Sequence, residues 1–121
     1  MDTLSTILIA LVSSLHIYFL VVEMFLWKKP KGLKTFGMTQ EFADATAVLA
    51  ANQGLYNGFL AAGLIWGLVT PDALHAFSIK VFFLSCVVIA GVFGGITADK
   101  KILYIQAAPA AVTLALLTYF S

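Results

Sequence analysis

The sequence predicts an all-α polytopic membrane protein, a four-transmembrane-helix antiparallel bundle built by one domain over residues 1–121. Two observations predict it. Hydrophobic residues make up 61% of the 121 and charged residues only 11%, with mean hydropathy +0.98, whereas soluble domains carry roughly a quarter charged residues. A chain this short cannot hide that much apolar surface in its own core. The charges are also segregated, falling almost entirely between four apolar stretches of about the 20 residues a span needs.

The first stretch, about 3–27, begins MDTLSTILIALVSSL. A secretory signal would carry a positive n-region. Here the one early charge is Asp2 and the apolar run continues to Trp27, so it reads as a retained helix. Lys28-Lys29-Pro30-Lys31-Gly32 ends it with charge, proline and glycine. The segment from Lys28 to Glu41 is the only sizeable one expected outside the membrane. The second helix, about 42–69, takes Thr39 as cap and Glu41 in its first turn, against the helix dipole. Thr70-Pro71-Asp72 forms a compact stop and start, with Thr70 as N-cap and Pro71 at the first helical position of a third helix, about 73–97. Asp99 caps a fourth, about 102–120, which Pro109 is expected to kink. Links this short make consecutive helices antiparallel neighbours.

Lysines set the expected orientation. Lys28, Lys29, Lys31 and Lys34 fall in the first link, and Lys100 and Lys101 in the third. The positive-inside rule then places these links in the cytoplasm and both termini outside, in a cell membrane. Lys80, about two turns into the third helix, either snorkels to the outer interface, the favoured reading, or faces the bundle. Trp27, Tyr104, Tyr119 and Phe120 read as interfacial anchors.

Several chemistries are disfavoured. The net charge is +1 and there is no arginine, so nucleic acid is not an expected partner and bidentate recognition of phosphate or carboxylate is unavailable. Cys86 is the single cysteine and lies in an apolar run, so it forms no intrachain disulfide. His16, Glu23 and His75 cannot converge on a metal, and no acid is placed to orient His16 toward Ser13. Neither metal nor cofactor is expected.

The candidate site lies on the first two helices. ANQGLYNGFLAAG, residues 51–63, sets Asn52, Gln53, Tyr56 and Asn57 inside an apolar run. At 100° per residue Asn52 stacks on Tyr56 and Gln53 on Asn57. Together they form a polar face, with Gly54 and Gly58 opposite among small alanines. Two readings compete for that face: hydrogen-bonding glue between helices, or the lining of a ligand cavity. The glycines, with Gly91 and Gly95 of the third helix, offer small-residue faces for a homo-oligomer. On the first helix His16, Leu20, Glu23 and Trp27 share a stripe. His16 and Glu23 lie about 10 Å apart along the axis and could flank one small cavity. Ionisable groups inside a span cost ~2.5–3.5 kcal/mol even on a lenient scale, which makes them functional candidates. The alternatives are that Glu23 pairs with Lys28 or Lys101, and that His16 is satisfied by an amide of the second helix. The ligand-binding set is therefore His16, Glu23, Asn52, Gln53, Tyr56 and Asn57, around a small amphipathic or lipid-like molecule to be bound or transported. An intramembrane enzyme, with His16 or Glu23 as general base, and a structural scaffold are the alternative functions.

LHIYFLVVEMFLWKKPKG, Leu15 to Gly32, followed by ANQGLYNGFLAAGLIWG, Ala51 to Gly67, resembles the small bacterial membrane proteins catalogued as domain of unknown function 1304. The resemblance covers nearly the whole chain. It implies a four-helix integral membrane protein and points to His16, Glu23, Trp27, Asn52, Gln53, Gly54, Tyr56 and Asn57 as a recurring polar set; it supplies no reaction. The span order is also similar to that of the membrane-associated eicosanoid and glutathione metabolism proteins, which bind glutathione with arginines and form trimers. With no arginine in this chain, that likeness is one of architecture alone.

Overall fold

The computed structural model describes residues 2–121. Every regular element is helical among the described residues. In order they are α1 (Thr3–Val21), a π-helical segment (Val22–Leu26), α2 (Pro30–Phe36), α3 (Gln40–Val69), α4 (Ala73–Thr97), a second π-helical segment (Leu103–Ala107) and α5 (Ala108–Tyr119). The fold is all-α, as the composition predicts. Two helices are long and apolar enough to cross a membrane: Thr3–Leu26, counting the first π segment, and Ala73–Thr97. Leu103–Tyr119 is a shorter apolar helix.

The chain folds as two compact units that share α1 and α3. One comprises 2–13 and 62–121, the other 14–61. In the first, α4 packs along the second π segment and α5. Its core joins Ile9, Leu64, Leu84, Val87 and Ala110 to the polar residues Ser5, Ser13, Lys80 and Thr113. Ser13 and Thr113 return their hydroxyls to the carbonyls of Ile9 (2.8 Å) and Pro109 (2.7 Å), the usual way a helix satisfies such groups in apolar surroundings. In the second unit the first π segment packs on α2, and the core includes His16, Val22, Ala43, Ala50, Asn57 and Ala61.

The helix ends follow local chemistry. The amide of Ser5 donates to Asp2 Oδ1 at 2.7 Å, and this bond holds the Asp2 carboxyl below its ordinary value. Phe42 N donates to Thr39 Oγ1 at 3.1 Å, the cap expected for α3. Asp99 Oδ1 accepts from Lys101 N at 2.9 Å. The turn at 70–72 differs from expectation. Thr70 closes α3, its amide and hydroxyl both bonded to the Trp66 carbonyl. The cap of α4 is Asp72, accepting from His75 N at 3.0 Å. A residue before proline is disfavoured in helical conformation, and Asp caps at least as well as Thr.

Two further features differ from the sequence reading and a third, Pro109, refines it. The 28–41 segment is not all loop. Pro30 opens α2 at its first turn, and Gly37 ends it in the left-handed conformation (φ 62°), with the amides of Gly37 and Met38 both reaching the Leu33 carbonyl. Pro109, expected to kink a continuous helix, stands at the start of α5 directly after the second π segment. It has no N–H for the carbonyl of residue 105, and a π turn absorbs such a break in the hydrogen-bond ladder. Lys80 is 1% exposed, so it does not snorkel. Its stem runs beside Gly67, where an added Cβ would lie 2.7 Å from Lys80 Cγ. Asp2 acts electrostatically on its ammonium group.

Candidate functional site

Glu23 and Asn57 form the core of the candidate site. The first π segment, Val22–Leu26, carries Glu23. A π turn inserts extra backbone into an α-helix, rotates the residues after it, and recurs at functional sites. Here it brings Glu23 and Met24 onto α3 at Gly54. A Cβ at position 54 would lie 2.8 Å from Met24 Cγ and 3.0 Å from Glu23 Cβ. One turn further along α3, Asn57 Nδ2 donates to Glu23 Oε1 at 2.6 Å. Trp27, just past the π segment, donates from Nε1 to Thr46 Oγ1 at 3.0 Å, and its ring lies tilted against that of Phe36 with centroids 5.0 Å apart. Gln40 Nε2 ties the Lys28 carbonyl (3.1 Å) to Asp44 Oδ1 (3.0 Å). The π segment that follows α1 and the residues just after it are thus clamped to α3 by polar side chains.

Beside this clamp lies a cavity of about 220 Å³ lined by Glu23, Met24, Phe25, Trp27, Lys28, Lys29 and Ala47. It has room for several waters, each taking about 30 Å³ of liquid. It is smaller than the roughly 300–1,000 Å³ of pockets that enclose a whole drug-sized ligand. Its lining includes one carboxylate, two lysines, two aromatic rings and a thioether. A second hollow, about 280 Å³, is lined by Val88, Val92, Leu103, Tyr104, Ala107, Ala108 and Ala111; it presents no polar surface and so nothing to orient a ligand.

The six residues singled out in the sequence divide. Glu23 and Asn57 meet. Among the described residues Glu23 forms no ion pair, so the alternative pairing with Lys28 or Lys101 gives way to the Asn57 amide. Asn57 is 6% exposed. It shares a buried stripe with Ala50, Gly54, Ala61 and Leu64, whereas Gln53, at the edge of that stripe, is exposed. The observed spacing of 4, 3, 4 and 3 residues keeps these positions within about 80° of one another. Asn52, Gln53 and Tyr56 lie on the exposed side of α3. Asn52 returns its amide to the Val48 carbonyl at 2.9 Å, and Tyr56 lies against Phe59. His16 is fully buried, with its ring edge-on to Phe19 at 5.8 Å. It does not line the cavity.

The small-residue faces are also used differently from the expectation. Gly54 and Gly58 receive Glu23, Met24 and Leu20, and Gly91 and Gly95 receive Ala107 and Leu103, so the chain's own helices occupy them. Trp27, Lys28 and Lys29 enter the site from outside the predicted set. Trp27 was signalled by its place on the Glu23 stripe and in the polar set of the family resemblance; Lys28 and Lys29 were not, because a π turn leaves no mark in hydrophobic periodicity. Among the described residues no three His, Cys, Asp or Glu side chains group closely enough to hold a metal ion.

The comparisons with known proteins agree on one point. The chain is similar to an uncharacterized protein, YpaA, of Lactococcus lactis subsp. lactis (strain IL1403), at 29% identity over 107 residues, covering 86% of this chain and 88% of that protein. No solved structure matches it. The family model described as protein of unknown function (DUF1304) matches residues 10–118, so the chain belongs to that family.

Proposed function

We propose that the protein is a polytopic membrane protein that binds the head group of a small zwitterionic amphiphile in the cavity beside Glu23. Two crossings are supported by the long apolar helices and a third by the shorter apolar helix Leu103–Tyr119; α3 is read as the fourth on the length of its charge-free run. Residues 45–69 of α3 carry no charge over 25 positions, about 37 Å of helix, enough for the ~30 Å hydrocarbon layer. In this reading the positive-inside rule sets the lysine-bearing links in the cytoplasm.

The observation that carries the ligand reading is a carboxylate at the end of an apolar helix that is hydrogen-bonded by Asn57 and lines a cavity with Trp27, Lys28 and Lys29. Interior glue would need no cavity, and an ionisable group at such depth is retained for a task. Ligand chemistry follows from the lining. Lys28 and Lys29 suit an anionic group, Glu23 suits an ammonium, and the Trp27 ring can stack on a cation or cover an alkyl segment. The volume fits a head group with its acyl chain left along the helix surface.

The test is thermal unfolding in a neutral maltoside detergent. Lysophosphatidylethanolamine should raise the melting temperature in a saturable way, and lysophosphatidylglycerol, which lacks the ammonium, should raise it less. Glu23→Gln should remove the difference between the two lipids. Equal shifts with both lipids, or none with either, would leave the Glu23 cavity without this role.

A further inference from the structure

We propose that the face of α3 bearing Asn52, Gln53 and Tyr56 docks against the same face of a second copy of this chain. The proposal rests on the membrane reading above. All three side chains are exposed in the single chain. At 100° per residue they fall within one 100° arc, with Tyr56 40° and Gln53 100° from Asn52. They stand near the middle of the charge-free stretch 45–69, at hydrocarbon depth for a spanning helix. Lipid offers such groups no hydrogen bonds, and polar side chains in spans accordingly turn to a protein partner. The bond from Asn52 to the Val48 carbonyl uses one of its two N–H donors and none of its acceptor oxygen.

The chemistry of the face selects a copy of itself. An amide both donates and accepts, so its natural complement is another amide. A two-fold axis along the membrane normal sets α3 beside α3 in parallel, and each Asn52 and Gln53 then meets its own counterpart, as an isologous interface requires. The face carries no charge for a charged partner to answer, and Leu49 and Phe59 give it an apolar rim. The glycine faces that commonly join membrane helices are already filled within the chain. That leaves the amide face to do the joining.

Disulfide trapping in native membranes tests this, on the full chain with Cys86→Ser as background. Leu49→Cys (72% exposed) reports the face, and Ile89→Cys on α4 (69% exposed) is an equally accessible control. Mild oxidation should link Leu49→Cys into dimers and leave Ile89→Cys monomeric. Adding Asn52→Leu and Gln53→Leu should reduce the Leu49→Cys dimer to the control level. If Leu49→Cys links no better than Ile89→Cys, or if linking survives loss of both amides, the proposal is wrong. Should the double substitution fail to accumulate, the comparison of Leu49→Cys with Ile89→Cys decides alone. A chain that fractionates with membranes yet does not link sinks only this proposal. A chain found outside the membrane sinks the membrane reading and this one with it.

Discussion

Asn57→Leu should destabilise the folded chain by about 1–3 kcal/mol, the usual cost of leaving a buried polar group without its partner. Asn57 is 6% exposed, and its amide donates to Glu23 Oε1 at 2.6 Å. Leucine fills the volume but offers nothing to the carboxyl, which sits half-buried at the end of an apolar helix. Glu23→Gln keeps an acceptor oxygen in place and should cost less, within the ~0.5–1.5 kcal/mol of a neutral hydrogen bond. The double variant separates the contact from its surroundings. A cycle measured by chemical unfolding in detergent should return a coupling energy of about 0.5–3 kcal/mol, as directly bonded side chains do. Strictly additive losses would mean that the two side chains do not share a bond.

Gly91→Val is the other large effect, expected at about 1–3 kcal/mol or more, because added atoms in a packed interior force helices apart. A Cβ at position 91 would lie 2.6 Å from Ala107 N, 2.7 Å from Ala107 Cβ and 2.8 Å from Ala107 Cα. Two of these three atoms are backbone, so no rotamer change relieves the clash. Gly58 gives the contrast within the other unit: its nearest neighbour is Leu20 Cδ1 at 2.6 Å, the end of a side chain that can swing away. Gly58→Ala should therefore cost clearly less than Gly91→Val in the same unfolding assay. Equal costs would show that the closeness of α4 to the second π segment is not what fixes residue 91 as glycine.

The two effects show why parts of this molecule were legible in its sequence and parts were not. Breaks and caps are local: Thr39, Asp99 and the charge-free runs act through their own neighbours, and the long helices lie close to where those signals put them, although Pro30 opens the unexpected α2 as well as ending the first helix. Glu23 and the polar run around Asn57 also stand out from sequence, because polar groups in apolar stretches need a reason. Their pairing does not. Projecting α3 as an isolated helix groups Asn57 with Gln53, whereas packing places Asn57 on the Gly54 stripe that receives the π segment. The π turns at Val22–Leu26 and Leu103–Ala107 leave no periodic signature, yet one sets the direction of Glu23 and the other the approach of Ala107 to Gly91. Lys80 shows the same limit. Depth along the helix suggested the interface, but its stem lies beside Gly67 and Asp2 acts on its charge. Those partners are remote in sequence from one another.

The most direct measurement is solid-state NMR on the chain in phosphatidylethanolamine bilayers, with ¹³C at the Glu23 carboxyl and ¹⁵N at the Asn57 side chain. A carboxyl carbon that correlates with both the Asn57 amide nitrogen and the ethanolamine head group is the predicted result. A carboxyl that correlates with neither, or only with bulk water, would contradict a head-group site built on Glu23.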